Sequence, residues 1–156
     1  EPMIVRWPGV VKPGSKCDKY LIIEDFYPTI LEMAGIRGHK TVQPIDGVSF
    51  MPLLKGTGDP SVGRSLFWNC PNIWGNDGPT CSVRNGDWKL IYYYETGKKE
   101  LFNITEDIGE HNDVARQHPD IVKRLSGELG TYLRKVDGQR PSFKATGKPV
   151  PWPDEI

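Results

Sequence analysis

Few side chains in this sequence could supply a nucleophile, a base or a set of metal ligands, and they are scattered. The cysteines are Cys17, Cys70 and Cys81, and the histidines are His39, His111 and His118. No two cysteines have the C-x-x-C spacing of a structural zinc site, and there is no G-x-S-x-G elbow, H-E-x-x-H helix or phosphate-binding loop. Each histidine lies in polar, loop-like sequence, where a solvated surface position is the ordinary interpretation. The residues of this chain therefore predict no catalytic group and no metal site.

The three cysteines leave two interpretations open. Their odd number excludes a fully paired disulfide framework within the chain. Cys70 and Cys81 could form a disulfide if their strands are neighbours. Alternatively, all three side chains are buried free thiols, which is the more ordinary outcome.

The carboxylates that attract attention also have structural explanations. Residues 103–112 (NITEDIGEHN) are rich in acidic and amide side chains, but they lack the ligand spacing of an EF-hand loop. Their side chains can instead accept hydrogen bonds from nearby backbone N–H groups and fix a compact turn. Glu24 and Asp25 are adjacent, so in a helix they point in different directions, and we expect Asp25 to be the helix N-cap.

One polar connection contains side chains suited to sugar hydroxyls. About eleven residues separate a strand that ends at Trp68 from one that begins at Thr80, whereas hairpin loops usually need about two to five. A connection of this length in a compact sheet is commonly functional or disordered. A polar surface loop is the alternative. The predicted substrate-binding residues are Asn69, Asn72, Trp74 and Asp77.

Period-two alternation predicts an antiparallel sheet of four strands, at residues 65–70, 80–84, 88–94 and 99–103. Asn85-Gly86-Asp87 predicts a tight hairpin turn between the second and third strands, in which Asn85 and Gly86 need positive φ. Gly97-Lys98 provides the next turn. Residues 2–7 (PMIVRW) predict a further short strand.

Helical periodicity occurs in three places. An apolar face made by Phe26, Ile30, Leu31 and Ala34 predicts a helix that Gly35 ends. Residues 48–55 are apolar enough to pack as a short helical turn, and residues 119–136 predict a longer helix. The tail, residues 138–156, is rich in Pro, Gly and Lys and predicts an extended, surface-bound or disordered segment. The apolar stripe of the longer helix consists of Ile121, Leu125, Leu129 and Leu133.

Composition excludes several classes of protein. Lys plus Arg balance Asp plus Glu at 20 each, which gives no electrostatic reason to expect nucleic acid or an anionic membrane. No apolar run approaches the roughly 18 residues of a membrane span. With 156 residues, 37% of them hydrophobic, the chain can form one domain, or a small domain plus a piece of another. It begins Glu1-Pro2 without an initiator Met, and we expect a processed product or a fragment.

Several segments, taken together and in order, resemble the sulfatase family within the alkaline-phosphatase-like superfamily. They cover nearly all of residues 1–136, and the ordered set is specific although each segment alone is weak. They are residues 1–15 (EPMIVRWPGVVKPGS), 25–36 (DFYPTILEMAGI), 46–56 (DGVSFMPLLKG), 64–68 (RSLFW), 82–91 (SVRNGDWKLI) and 100–115 (ELFNITEDIGEHNDVA).

The resemblance implies an α+β fold, in which the end of a large α/β domain precedes a small four-stranded antiparallel sheet packed with a C-terminal helix. Residues 1–56 would belong to the large domain, residues 57–137 to the subdomain and residues 138–156 to the tail. The strands and the helix inferred from periodicity agree with this division. Residues 1–56 would normally pack against the missing N-terminal sulfatase region, so the chain alone should expose apolar surface or self-associate.

The resemblance also implies hydrolysis of sulfate esters. In sulfatases the nucleophile is a formylglycine made from Cys or Ser in a C/S-x-P-x-R motif, and a calcium ion neutralises the sulfate. None of the three cysteines lies in such a motif. In the family, these positions lie upstream of the one matching Glu1, so we expect this chain alone to be inactive, without a catalytic residue or a metal ligand. Family members often place the loop after the first subdomain strand at the rim of the sulfate pocket, frequently with a His where this chain has Asn69.

Two classes of function remain. The first is the C-terminal portion of a periplasmic, secreted or lysosomal sulfatase that acts on sulfated carbohydrate or an aryl sulfate. The alternative is a non-catalytic module that binds a glycan or a protein partner. A C/S-x-P-x-R motif in the coding sequence before Glu1 would decide between them.

Overall fold

The computed structural model describes residues 2–36, 38, 40–72 and 78–156. The chain divides into two compact units, Glu1–Arg64 and Ser65–Ile156, which we call the N-terminal unit and the C-terminal unit. The domain boundaries at residues 56 and 137 implied by the resemblance concern the whole protein, and they stay predictions.

The N-terminal unit contains short helices joined by irregular backbone. A 3₁₀ turn, Ile23–Asp25, leads directly into helix α1, Phe26–Met33, and helix α2 follows at Met51–Lys55. The two predicted helices are therefore confirmed. The strand predicted for residues 2–7 is wrong, because a strand requires a partner and no described segment of this chain pairs with those residues.

Asp25 occupies the N-cap position of α1, but its side chain does not cap the helix. The carboxylate is fully buried and accepts hydrogen bonds from the backbone N–H groups of Ile22 (3.1 Å) and Val48 (2.9 Å). It also binds both terminal nitrogens of Arg64, at 2.9 and 2.8 Å. The predicted N-cap position is therefore confirmed, but the side-chain cap is not formed, since a buried carboxylate gains more from a guanidinium than from the helix end.

The apolar face predicted for α1 is only partly covered. Its fully buried residue is Thr29, whose hydroxyl donates to the Asp25 carbonyl oxygen (2.6 Å) and accepts the Phe50 N–H (3.0 Å). By contrast, Ile30 is 57% exposed. The other large apolar side chains of the N-terminal unit that are exposed, among its described residues, are Met3, Ile4, Ile23, Tyr27, Met33, Ile36, Val42, Ile45, Val48 and Val62.

The C-terminal unit is built on an antiparallel sheet in the order β1-β2-β3-β4. The strands are β1 Ser65–Cys70, β2 Thr80–Asn85, β3 Trp88–Tyr93 and β4 Lys99–Asn103. Helix α3, Pro119–Lys135, follows the sheet and contacts β2 and β3. The predicted α+β architecture, a four-stranded antiparallel sheet with a C-terminal helix, is confirmed.

The hairpin between β2 and β3 differs from the prediction by one residue. Asn85 pairs with Trp88 as the last residue of β2, so the two-residue turn consists of Gly86 and Asp87. Gly86 has a φ of +59°, whereas Asn85 is not among the residues with positive φ. A glycine at the first central position is typical of a type II′ hairpin turn. The prediction that Asn85 needs positive φ is therefore wrong.

The core of the C-terminal unit lies between one face of the sheet and α3. Leu125, Leu129 and Leu133 of the predicted helical stripe are at most 1% exposed, and Ile121 packs beside them. They meet the inward side chains of the strands, because residues two apart on a strand share a face. The buried strand residues of this cluster are Cys81, Val83, Leu90, Tyr92, Tyr94 and Leu101, with Tyr94 directly after β3.

Residues 138–156 form what we call the C-terminal strap, which packs on the C-terminal unit. Val150 and Trp152 belong to the hydrophobic core, and the Tyr92 hydroxyl donates to the Pro151 carbonyl oxygen (2.9 Å). Two apolar side chains near the end of the chain therefore keep the strap against the sheet and helix, which the polar composition of this segment did not indicate.

All three cysteines are free thiols, so the disulfide interpretation is wrong. Cys70 lies one register position away from Cys81, which pairs with Asn69, and the two side chains consequently point to opposite faces of the sheet. Cys81 is buried, whereas Cys17 and Cys70 are exposed, so burial is correct for only one of the three. Among the described residues, no helix is long and apolar enough to cross a membrane.

Candidate functional site

Three of the four predicted substrate-binding residues belong to the connection between β1 and β2. This connection is residues 71–79, nine residues and not the expected eleven, because β1 continues to Cys70. Asn69 lies within β1, and Asn72 follows two residues after the strand with an exposed side chain. Trp74 and Asp77 lie outside the described residues. The structure thus describes the two ends of the connection, which we call its stems: residues 69–72 on the side of β1 and residues 78–80 on the side of β2.

Asn69 is held by two internal hydrogen bonds. Its amide oxygen accepts the hydroxyl proton of Tyr94 at 2.9 Å, and its amide nitrogen donates to the backbone carbonyl of Gln139 at 2.7 Å. These bonds fix the orientation of the amide group, because the oxygen faces a donor and the nitrogen faces an acceptor. Asn69 therefore connects β1 to the residue after β3 and to the C-terminal strap.

Tyr94 contacts both stems at once. Its backbone N–H donates to the Pro79 carbonyl oxygen (3.0 Å) on the β2 side, while its hydroxyl reaches Asn69 on the β1 side. The Tyr94 side chain is 1% exposed and packs edge-to-face on Tyr92, with ring centroids 5.4 Å apart. A buried ring in contact with its neighbours has few alternative positions, so it is a rigid support for both stems.

Burial keeps the Tyr94 hydroxyl and the neighbouring Cys81 thiol neutral. Burial raises the pKa of the Tyr94 hydroxyl well above its usual range, and the neighbouring Cys81 adds to that increase. Burial likewise raises the pKa of the Cys81 thiol to about 12. Both groups therefore stay protonated at physiological pH, so Cys81 is not a nucleophile here and Tyr94 keeps the proton that it donates to Asn69.

The described residues contain no group of three or more His, Cys, Asp or Glu side chains that could hold a metal ion. The acidic segment at residues 103–112 is a hydrogen-bonded turn, as predicted. Asp107 accepts the N–H groups of His111 and Asn112, both at 2.8 Å, and Asn103 accepts that of Thr105 at 3.2 Å.

The N-terminal unit has an open groove of about 650 Å³ lined by residues 24, 27 and 40–47. Glu24, Lys40 and Asp46 give it charges of both signs. Next to it, a Cβ on Gly47 would lie 1.9 Å from the Glu24 carbonyl oxygen, so the backbone can approach closely only because residue 47 is glycine. Asp46-Gly47 is therefore a point of close backbone contact.

Sequence reasoning missed Tyr94 and Gln139. In the pattern of β3, Tyr94 continues the inward positions of Leu90 and Tyr92 and has the appearance of an ordinary core residue. Gln139 acts through its backbone carbonyl, which every residue type carries. No feature of the sequence could therefore have connected either residue with Asn69.

Comparison with known proteins gives a consistent result. Residues 1–135 match the family model described as N-sulphoglucosamine sulphohydrolase, C-terminal. The ulvan-active sulfatase of Formosa agariphila is 44% identical over 183 aligned residues, which cover 96% of this chain and 36% of that protein. Another Formosa agariphila protein, named sulfatase, is 29% identical, with coverage of 97% and 30%. Human arylsulfatase K is 29% identical, with coverage of 85% and 25%.

Solved structures share the fold. A protein solved in complex with its substrate D-glucosamine-2-N,6-O-disulfate aligns with a TM-score of 0.66 at 24% identity, over 86% of this chain and 28% of that one. The phosphonate monoester hydrolase of Silicibacter pomeroyi aligns with a TM-score of 0.60 at 20% identity, over 95% of this chain and 32% of that one. At these identities the likeness establishes the fold alone.

This chain spans about a quarter to a third of the length of its curated relatives. The family match covers both units up to the end of α3, and the C-terminal strap lies entirely beyond it. The order of segments, the sheet-and-helix architecture and the family match agree, and the chain therefore belongs to the sulfatase family, the sulfuric ester hydrolases, and corresponds to their C-terminal region.

Proposed function

We propose that this chain is the C-terminal portion of a sulfatase that removes sulfate from carbohydrates, with aryl sulfates as a second substrate class. The observation that carries this proposal is the 44% identity to an ulvan-active sulfatase across 96% of the chain. One structural neighbour was solved with a sulfated glucosamine as its substrate. The parent protein would work in the periplasm, outside the cell or in a lysosome.

Sulfatases use a formylglycine and a divalent metal, and we propose calcium as the metal in the parent protein. When bound, the metal neutralises charge on the sulfate group. The described residues of this chain offer no ligand set for it. Nucleophile and metal site are therefore assigned to the remainder of the protein, and this chain contributes structure and substrate contacts.

The substrate contacts are assigned to the connection between β1 and β2. Asn72 is exposed at the end of the β1 stem, so its amide can donate to a sulfate oxygen and accept from a sugar hydroxyl. Trp74 and Asp77 are included because an indole ring can stack on a sugar face and a carboxylate can accept from hydroxyl groups. Asn69 supports the stem that carries Asn72, because its amide is already bonded to two internal partners.

A second role of the chain is to bind the rest of the parent protein. Ile4 is 96% exposed, Ile23 is 75% exposed and Ile30 is 57% exposed, all in the N-terminal unit. Large apolar side chains grouped on one small unit are typical of a surface that another part of the protein covers. We assign this surface to the N-terminal sulfatase region, and in its absence we expect the chain to self-associate.

The first test is the activity of the parent protein. The coding sequence before Glu1 should contain a C/S-x-P-x-R motif, and the full-length protein should release sulfate from a sulfated oligosaccharide in the presence of calcium. The 156-residue chain alone should not hydrolyse a chromogenic aryl sulfate. Turnover by the pure chain, or a full-length protein without the motif and without activity, would contradict the proposal and favour a glycan- or partner-binding module.

The second test concerns substrate recognition. Asn69, Asn72, Trp74 and Asp77 would be replaced singly by alanine in the full-length protein. For Asn72, Trp74 and Asp77 a recognition role predicts lower kcat/KM on the sulfated oligosaccharide with nearly unchanged thermal stability. Asn69→Ala should also lower thermal stability, because the Asn69 amide makes two internal hydrogen bonds. Gln117→Ala is the matched control, because it removes another exposed amide of the C-terminal unit outside this connection. Wild-type kinetics in all four variants would assign recognition to the rest of the parent protein.

A further inference from the structure

The two stems of the connection between β1 and β2 are joined by one residue. Tyr94 donates its backbone N–H to Pro79 (3.0 Å) and its hydroxyl proton to Asn69 (2.9 Å). β1 and β2 are already paired from Ser65–Asn85 to Cys70–Thr80, so these two bonds act immediately at the end of the ladder, where the strands separate.

The β1 stem is also bonded to the C-terminal strap. The Asn69 amide nitrogen donates to the Gln139 carbonyl oxygen at 2.7 Å. The strap is itself fixed, because Trp152 is 7% exposed and Arg134 of α3 pairs with Asp154. Gly130 permits this approach, since a Cβ at that position would lie 1.9 Å from a carboxylate oxygen of Asp154.

We propose that Tyr94 is a positioning residue for the sulfated substrate, which acts by clamping both stems and thereby fixing Asn72 relative to the sheet. This inference rests on the proposed function, because it assumes that Asn72 contacts substrate. Tyr94 itself is 1% exposed, so it acts through its neighbours. Pre-ordering the contact residue reduces the conformational entropy that substrate binding would otherwise have to overcome.

The chain provides a matched control for the loss of this hydroxyl. Tyr92 is also fully buried, and its hydroxyl also donates to a single internal acceptor at 2.9 Å. That acceptor is the Pro151 carbonyl oxygen of the strap, which is not part of either stem. Tyr94→Phe and Tyr92→Phe therefore remove equivalent hydrogen bonds from neighbouring rings, and only Tyr94→Phe releases a stem.

The experiment compares both variants in the full-length protein by hydrogen exchange and by steady-state kinetics on a sulfated oligosaccharide. Tyr94→Phe should accelerate exchange of the residue 94 amide, which donates to Pro79 at the β2 stem, and raise KM, each about fivefold, with kcat changed less than about twofold. Tyr92→Phe should lower thermal stability by a similar amount and change neither quantity. If Tyr94→Phe does not fold, Asn69→Leu removes the same bond from its other partner.

Each outcome decides the inference. Equal exchange of the residue 94 amide in the two phenylalanine variants overturns the clamp. Faster exchange in Tyr94→Phe with an unchanged KM overturns the positioning role. Failure of the proposed function is seen separately, because a wild-type protein without sulfatase activity, or an Asn72→Ala variant with wild-type kinetics, is identified before the tyrosine variants are compared.

Discussion

A buried carboxylate lies at the centre of the N-terminal unit, and a continuous cluster of apolar and aromatic side chains lies at the centre of the C-terminal unit. In the first unit, Asp25 receives four hydrogen bonds from two backbone N–H groups and Arg64. In the second, three leucines of α3 pack against the inward face of the sheet. The two units are therefore stabilised by different forces, one directional and one proportional to buried area.

The two units also differ in whether their own residues form a complete hydrophobic core. Apolar burial in the C-terminal unit comes from its own sheet, helix and strap, so its core is complete within residues 65–156. Among its described residues, the N-terminal unit buries two large apolar side chains, Phe50 and Met51, and it exposes many others. A small unit with little buried apolar area is marginally stable, so its hydrogen-bonded polar centre matters more for its stability.

Arg64→Ala should produce the largest effect on this comparison. It leaves the Asp25 carboxylate buried without a counter-ion, which costs about 3–5 kcal/mol. Hydrogen exchange at the Val48 and Phe50 amides, which bond to Asp25 and Thr29, measures the loss within the N-terminal unit. The double variant with Asp25→Ala should lose less than the sum of the single changes. A loss below about 1 kcal/mol would mean that the ion pair does not stabilise this unit.

Leu129→Ala should be the corresponding change in the C-terminal unit. Leu129 is 0% exposed between α3 and the sheet, and truncation of a core leucine costs about 3 kcal/mol. Exchange at the Val83 and Leu90 amides should accelerate, whereas exchange at Val48 should not. Lys123→Ala, an exposed change on the same helix, is the control and should stay within about 0.5 kcal/mol of wild type. Equal acceleration in both units would contradict their independence.

Two glycines test how each unit tolerates an added methyl group. A Cβ on Gly47 would lie 1.9 Å from the backbone oxygen of Glu24, whereas one on Gly130 would lie 1.9 Å from a side-chain oxygen of Asp154. Backbone yields less easily than the end of a side chain, so Gly47→Ala should cost about 2 kcal/mol and Gly130→Ala less. Denaturant unfolding of the two variants makes the comparison. The reverse order would show that the strap is held more rigidly than the N-terminal unit.

Two substitutions in the hairpin between β2 and β3 should lower stability by about the same amount, through different mechanisms. Gly86→Ala places a Cβ at a φ of +59° and should cost about 1 kcal/mol. Asn85→Ala should cost about 0.5–1 kcal/mol, because its amide donates to the Ser65 hydroxyl (2.9 Å) and not because of its backbone. Replacing Ser65 by alanine should therefore remove most of the effect of Asn85→Ala and leave that of Gly86→Ala unchanged in a double-variant cycle.

The smallest effect at neutral pH, and a growing one in acid, concerns the Asp25 carboxyl group. Burial alone would raise its pKa, but hydrogen bonds from Arg64, Val48 and Ile22 outweigh burial and lower the pKa below its usual 3.8. In this pH range the unfolded chain therefore binds more protons than the folded chain. The contribution of Asp25 to stability is complete when the pH is above the pKa of Asp25 in the unfolded chain. It is lost as the pH falls through the lower pKa of the folded chain. Acid unfolding followed in both units should show the N-terminal unit losing stability in this range. Arg64→Ala should weaken that pH dependence, because it removes the Arg64 contribution that lowers the pKa of Asp25.

Local pattern was sufficient for most of the secondary structure. Alternation located β1 and β4 at their observed bounds and the other strands to within one residue, and the stripe of leucines located α3 to within one residue. Both signals reflect the periodicity of the element itself, and the partner that completes it lies nearby in the sequence. Residues 2–7 have the same alternation, but the structure supplies no partner among the described residues, so they form no strand.

The sequence by itself determined the family, the antiparallel sheet with its helix, and the polar connection where substrate contacts are proposed. Only the tertiary structure decided that Asp25 is an ion-pair partner, that Asn69 faces inward to Tyr94 and Gln139, and that the strap joins the core. The physical reason is distance along the chain. Arg64 lies 39 residues from Asp25, and Gln139 lies 70 residues from Asn69. Contacts of that separation depend on how complete elements pack. In addition, every residue type has a backbone carbonyl, so the residue type at position 139 does not indicate the bond that its carbonyl accepts.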